Sequence, residues 1–256
     1  VEPDLLDPCR YPRLPPERLE NARVLTDRYD LLRHLPKQAA FAEIGVGLGN
    51  FSQHVLDICA PRHFHAIDTF DLHKQPTLWG KPTAELFGGQ THEAYYRGRF
   101  ASALAANRMT VTKGDSGDVL GSLAPGSLDI VYLDADHRYG PVKRDLLAIR
   151  RVVRPDGWIV LNDYVPLEIG GSNMPYGVIQ AAHEFMVEAD YEMIYLALGW
   201  AMFCDVAIRR IGVGRSLRSV AEENAALRGS LAAMNQSLSW RITAPLRALG
   251  RRANRG

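Results

Sequence analysis

From Ala39 onward, short apolar runs alternate with segments in which apolar residues recur every three or four positions. That alternation predicts a doubly wound α/β sheet, because strands covered on both faces read as continuous apolar runs while the helices between them show one apolar stripe. Seven strands are expected, at 40–44, 63–68, 109–113, 128–134, 158–162, 192–198 and 201–209. In the segment NFSQHVLDICA, Phe51, Val55 and Ile58 fall at i, i+4 and i+7, with Asn50 placed as the helix cap. In GPVKRDLLAIRRVV, Pro141 suits a first turn, and Val142, Leu146, Ile149 and Val153 make one stripe. The turn Arg154-Pro155-Asp156-Gly157 closes that helix and opens the next strand. Only Gly199 and Trp200 separate the last two strands, which suits a hairpin and is far too short for a parallel crossover. The expected sheet is therefore seven-stranded and mostly parallel, finished by an antiparallel hairpin.

The two ends of the chain break this pattern. Residues 1–16 hold five of the fifteen prolines and read as an extended arm, followed by a helix over 16–35. After residue 212, Leu217, Val220, Asn224, Leu227, Leu231, Met234 and Leu238 follow an approximate heptad seam. From Arg215 onward eight arginines stand against Glu222 and Glu223, in a chain whose formal net charge is +1. Trp240, Ile242, Leu246 and Leu249 would give this basic helical tail apolar anchors for an anionic membrane surface or a partner, a solvated tail being the plainer alternative. Three regions are expected: an arm and helix at 1–36, a catalytic domain at 37–212 and the tail at 213–256. Within the domain, the connection from Asp68 to Met109 is unusually long and carries Phe70, Trp79, Phe87, Tyr95, Tyr96 and Phe100. Such a connection at the carboxyl edge of a parallel sheet forms either a lid or an aromatic cover for the core.

Composition narrows the class. With 46% hydrophobic and 23% charged residues, the chain reads as a soluble globular protein with one sizeable core. No run approaches the roughly 18 apolar residues of a membrane span, and acids and prolines occupy the N-terminus where a signal peptide needs a basic start, so a cytoplasmic location is expected. Cys9, Cys59 and Cys204 share no short spacing, which excludes a zinc ribbon or a disulfide framework; Cys59 and Cys204 read as buried thiols. No nucleic-acid partner is expected.

The candidate chemistry lies at the strand ends. AAFAEIGVGLGNF is an apolar strand running through Glu43 into Gly45, Gly47, Gly49 and Asn50 at a helix start. Glycines there allow a tight turn and let a ligand approach the backbone. The dinucleotide fingerprint is G-x-G-x-x-G, whereas this loop is G-x-G-x-G, a spacing that favours S-adenosylmethionine, which has no pyrophosphate to cradle. Asp68, followed by Thr69, ends the second strand where a carboxylate can accept ribose hydroxyls, and Asp115 with Ser116 follows the third where an adenine would lie. Any one such acid caps a helix more often than it meets a ligand, but three consecutive strand ends offer the right groups. The fourth strand ends at Asp134, with Asp136, His137 and Tyr139 following, and the fifth at Asn162 and Asp163. Asp134, Asn162 and Asp163 on adjacent strands suit a hard cation such as Mg²⁺, and His137 suits a general base for a hydroxyl.

At EIGVGLGN, AIDTFD, GDS, SLDIVYLDADHRYGPVKRDL and RPDGWIVLNDY the chain resembles the bacterial class I methyltransferases of type 24, over about residues 39–165. The resemblance implies a Rossmann-like fold and S-adenosylmethionine held by Glu43, Gly45, Gly47, Gly49, Asn50, Asp68, Thr69, Asp115, Ser116 and Asp134. Relatives that methylate sugar hydroxyls use a divalent metal at the positions of Asp134, Asn162 and Asp163; they usually carry an acidic pair at the latter two, where Asn162 offers a neutral oxygen. The stretch SWRITAPLR is similar to C-terminal ends of bacterial enzymes of surface-glycan assembly. The expected activity is O-methylation of a sugar in a glycan, glycolipid or glycosylated metabolite, with Asp134 and His137 as catalytic residues. A metal-dependent enzyme acting on a catechol-like or antibiotic aglycone, and a non-catalytic scaffold in a glycan-assembly complex, are the alternatives. A homo-oligomer, peripheral at the inner face of the membrane through its tail, completes the expectation.

Overall fold

The computed structural model describes residues 12–168 and 174–212, together with Arg228. The chain divides into two units, 1–211 and 212–256. The expectations for residues 1–11, Cys9 and the basic tail lie outside the described residues.

In chain order the elements are β1 (Arg23–Leu25), α1 (Arg28–His34), β2 (Ala40–Ile44), α2 (Asn50–Cys59), β3 (His63–Asp68), β4 (Thr77–Leu78), β5 (Lys81–Pro82), α3 (Thr83–Leu86), α4 (His92–Arg99), α5 (Ala101–Ala105), β6 (Met109–Lys113), α6 (Ser116–Ser122), β7 (Leu128–Leu133), α7 (Tyr139–Val152), β8 (Val153–Leu161), α8 (Val178–Glu188), β9 (Tyr191–Ala197) and β10 (Asp205–Arg210). The main sheet has the order β1-β9-β10-β8-β7-β2-β3-β6; β10 runs antiparallel to β8 and β9, and the other pairs are parallel. The sheet is therefore the expected doubly wound one with an antiparallel hairpin, but it has eight strands where seven were expected. Strand order reverses around β2, so β2, β3 and β7 open a crevice at their carboxyl ends, where ligands of such sheets bind.

The extra strand corrects the reading of residues 16–35. Instead of one long helix there is a short turn of 3-10 helix (Pro16–Arg18), then β1, then α1. The cause is Asp27, whose side chain accepts from the backbone N–H groups of Tyr29 and Asp30 and so starts a helix of its own. Two smaller corrections concern turns. The Arg154–Gly157 residues lie inside β8 as an irregularity: pairing with β7 is made at Val153, breaks, and resumes at Trp158. The last connection is longer than a two-residue hairpin, because a short 3-10 turn (Trp200–Met202) precedes β10.

Side chains on each face of the sheet enter separate apolar layers. Ala40, Ala42, Ile44, Leu133 and Leu161 pack with Leu120 of α6, Val142, Leu146 and Ile149 of α7, and Phe185 of α8. Phe41, Phe64, Ile130 and Tyr132 pack with Leu31 and Leu32 of α1, Val55 and Cys59 of α2, Tyr96 and Phe100. In α2 the buried residues are Ser52, Val55 and Cys59, so Phe51 and Ile58 of the expected stripe sit at its margins. Cys59 and Cys204 are buried free thiols, as expected, and burial pushes Cys59 up to about 11. Among the described residues no helix is long and apolar enough to cross a membrane.

One edge of this core makes stability depend on pH. Burial first, and the neighbouring His63 second, bring His65 on β3 down to about 4. The unfolded chain takes up that proton near pH 6.5 and the folded one does not, so this contribution to stability is complete above pH ~6.5 and is lost as pH falls toward 4. Thermal melts across that window should show a falling midpoint in the parent chain and a shallower fall in His65→Gln.

Candidate functional site

The crevice is built on the turn between β2 and α2. Gly45, Gly47 and Gly49 all have positive φ, at 84°, 48° and 77°. The Gly45 N–H donates to the Ile67 carbonyl, and the Gly49 N–H to that of Val46, closing the turn at the head of α2. A side chain at Gly45 would overlap the Asp134 carbonyl group, so β2 and the end of β7 touch through bare backbone there. Gly49, not Asn50, occupies the cap position of α2; Asn50 is its first residue, and its side-chain oxygen accepts from Arg99. That is a correction, and its cause is the left-handed backbone at position 49, which a glycine takes at no steric cost.

Asp68, at the end of β3, faces this turn. One carboxylate oxygen accepts from the Val46 N–H at 2.8 Å and the other from the Phe70 N–H at 2.6 Å, which leaves each oxygen a free lone pair. Thr69 beside it is exposed. Glu43 is only 1% exposed and accepts a 2.6 Å hydrogen bond from Ser52 Oγ, which in turn accepts from the Tyr96 hydroxyl. Burial raises the Glu43 carboxyl well above the carboxylate range, and Asp134 and Asp68 add to that against the Ser52 hydrogen bond. Glu43 thus supports the floor of the turn from beneath.

After β6, Asp115 caps α6 by accepting from the Gly117 N–H and meets Arg144 at 3.3 Å. Ser116 turns its hydroxyl to Asp145 on α7. The described contacts of both side chains therefore lie within the α6–α7 packing.

The long connection folds over the glycine turn. β4 and β5 form a two-residue hairpin whose turn, Trp79-Gly80, has positive φ at both positions, the mirror-image geometry that tight hairpins require. Trp79 is 70% exposed, and its ring edge lies 3.8 Å from where a Gly47 side chain would begin. Phe70, Phe87, Tyr96 and Phe100 are buried, so most of the connection's aromatics cover core while Trp79 alone of the six projects freely. His92 belongs to none of the motifs that mark the other site residues in the sequence. This residue is fully buried, sits against the rings of Phe70 and Phe87, and contacts the Gly47 carbonyl at 2.6 Å through Nε2, tying α4 to the turn. A histidine directly after the helix-capping Thr91 was its only sequence signal.

Beside the turn, β7 and β8 bring the second constellation together. The Asp134 N–H donates to the Ile44 carbonyl, one residue before Gly45, and the Asn162 N–H to that of Leu133. His137 stacks on Tyr176 with centroids 4.6 Å apart, and its buried Nε2 has no hydrogen-bond partner. That nitrogen lies 3.5 Å from an Asp134 oxygen and 3.7 Å from an Asp163 oxygen, beyond good hydrogen-bond range. Burial disfavours the imidazolium, but Asp134, Asp163 and Asn162 outweigh it and raise His137 above the ordinary histidine value. Asp163 is pushed up to about 6, by burial first and the Asp134 charge second, against the pull of His137 and Arg28. Asp136 is drawn off by Arg138, and Tyr139 by Glu184 and Lys143, so neither joins the cluster. Among the described residues no three His, Cys, Asp or Glu side chains are arranged to hold a metal ion, so a cation would need the amide oxygen of Asn162 as a ligand.

Residues 42–164, just under half of the chain, match the type 24 methyltransferase domain. No curated protein sequence matches. Among solved structures, a SAM-dependent methyltransferase from Aquifex aeolicus is similar at 17% identity over 76% of this chain and 93% of that one, with a TM-score of 0.49. The 1,6-didemethyltoxoflavin-N1-methyltransferase of Burkholderia thailandensis, solved with its 1,6-didemethyltoxoflavin and S-adenosylhomocysteine, is 14% identical over 68% of this chain and 72% of that one, with a TM-score of 0.45. The pyocyanin biosynthetic protein PhzM is 15% identical over 71% of this chain, which spans about half (53%) of that protein, with a TM-score of 0.47. Over residues 42–164, then, the chain is similar to a methyltransferase domain, in keeping with the resemblance its glycine turn and strand-end acids carry.

Proposed function

We propose that this protein transfers the sulfonium methyl group of S-adenosylmethionine to a hydroxyl group of a sugar. The observation that carries the reading is the gathering of Asp134, His137, Asn162 and Asp163 directly beside the glycine turn, with Asp134 bonded to the backbone one residue before Gly45. In this reading Asp68 accepts the ribose hydroxyls through its remaining lone pairs, and the bare backbone of the turn admits the cofactor. Trp79 and the α4 segment exclude water above it. The methyl carbon must lie in line between sulfur and the acceptor oxygen, a geometry that rigid strand ends can hold. His137 accepts the hydroxyl proton at Nε2, a buried atom that otherwise lacks a partner.

Asp134, Asp163 and the amide oxygen of Asn162 would hold a divalent cation, magnesium by preference, since two carboxylates and a neutral oxygen are hard ligands. When bound, such an ion lowers the pKa of an acceptor hydroxyl. A sugar is preferred to a catechol-like ring because two carboxylates, Asp134 and Asp163, face His137 Nε2, and hydroxyl groups can donate to them, while the ring's other surroundings, Tyr176, Leu133, Val142 and Val178, are largely apolar. The test is transfer of radiolabelled methyl from S-adenosylmethionine to a panel of nucleotide sugars and glycans, with catechol as the control acceptor. Label on a sugar is the expected outcome; label on catechol alone would favour the aglycone reading.

A further inference from the structure

Two charged residues outside the family-matched segment reach the acceptor cluster from behind. Asp205, at the start of β10, is 1% exposed; it accepts from Tyr132 OH at 2.7 Å, from Arg28 Nη2 at 3.1 Å and from the Asn162 side-chain nitrogen at 3.1 Å. The same Asn162 nitrogen lies 3.2 Å from the Tyr132 oxygen, whose proton is already committed to Asp205. Both neighbours on that side of Asn162 are thus acceptors. A flipped amide would set its oxygen against a carboxylate, so Asn162 has one favourable orientation, nitrogen toward Asp205 and Tyr132 and oxygen turned away from them, in a residue that lines the same cavity as His137. Arg28 on α1 completes the arrangement: it lies over the Phe51 ring and also stands 4.0 Å from Asp163.

We propose that Asp205 and Arg28 are positioning residues of the acceptor site, Asp205 by fixing which face of the Asn162 amide the acceptor meets and Arg28 by holding Asp205 and Asp163 in register. The inference rests on the reading of Asp134, Asn162 and Asp163 as the acceptor site. It assigns a role to a segment, α1, that the fold alone needs only as cover for the sheet. A buried acid on a hydrogen-bonded relay to a ligand commonly controls that ligand's orientation, and loss of such partners typically costs 10–100-fold in affinity or activity.

The test uses the full chain with S-adenosylhomocysteine and reads two quantities that overall folding does not set. One is the exchange protection of the Asn162 side-chain amide protons, followed by NMR and assigned with Asn162→Asp. The other is Mn²⁺ uptake, followed by electron paramagnetic resonance. In Asp205→Ala we expect S-adenosylhomocysteine affinity within about twofold of the parent, amide exchange faster by about tenfold or more, and Mn²⁺ affinity lower by about 10–100-fold. Arg28→Met should move both readouts the same way, with partial recovery in Arg28→Lys, and serves where Asp205→Ala does not fold. Unchanged amide protection in a folded Asp205→Ala, or in Arg28→Met should the first variant not fold, overturns the inference. A parent chain that takes up no Mn²⁺ yet loses amide protection in these variants upholds the positioning role and removes the cation from the proposed function.

Discussion

Gly45→Ala is expected to abolish binding of S-adenosylhomocysteine and to lower stability by several kcal/mol. Two independent costs combine at this position. The backbone sits at φ 84°, where an L-residue with a side chain is strained by about 1–2 kcal/mol. The new methyl group would also overlap the Asp134 carbonyl and lie 2.9 Å from the Ala135 Cα, and these are backbone atoms with no rotamer to escape into. Overpacking of this kind adds about 1–3 kcal/mol. Relief requires β7 and the turn to separate, which moves Asp134 and the Val46 N–H together. Gly47→Ala makes a useful contrast, because its side chain would meet only the edge of Trp79 at 3.8 Å. A melt and a calorimetric titration of both variants check the expectation; a Gly45→Ala protein that binds like the parent would show that the turn relaxes freely.

The second large effect is expected at Asp163. Its backbone has φ 51°, a region that asparagine tolerates nearly as well as aspartate, so Asp163→Asn removes the charge with little strain. If Asp163 helps to bind and activate the acceptor oxygen, turnover should fall by about 10²–10⁴, the range for one positioned catalytic group, while affinity for S-adenosylhomocysteine stays within about threefold. The affinity should hold because Asp163 lies on β8's side of the crevice, across from Asp68 at the end of β3. Steady-state kinetics on any sugar labelled in the acceptor panel give the first number and calorimetry the second. Equal loss of turnover and of cofactor affinity would assign Asp163 to the cofactor instead. Full activity of the parent in excess EDTA would remove the cation and leave His137 with the two carboxylates.

The strands β2, β3 and β6 are legible in the sequence to the residue, because each is a short apolar or alternating segment whose end is marked by Gly45, by Asp68 or by the polar Gly114-Asp115 pair. β1 is not, because three residues at a sheet edge, two of them exposed, carry no period to read. The same holds for the site. Residue types at strand ends placed Asp68, Asp134, His137, Asn162 and Asp163 at the carboxyl edge of the sheet, since a parallel sheet gathers its carboxyl ends by topology alone. Side-chain direction was not legible: Ser116 turns to Asp145, and Asn50 to Arg99, because partners on other helices decide where a short polar side chain points. Arg28 and Asp205 meet across 177 positions of chain, a pairing that only the completed sheet creates.

Calorimetric titration of the full chain with S-adenosylhomocysteine, alongside Asp68→Ala, tests most directly whether the cofactor lies over the glycine turn. The parent chain should bind one equivalent. Asp68→Ala should bind about 1.5–3 kcal/mol more weakly, the worth of hydrogen bonds to a charged acceptor, while remaining folded. No heat of binding in the parent, or an Asp68→Ala variant that binds equally well, would contradict the placement of the cofactor over the glycine turn.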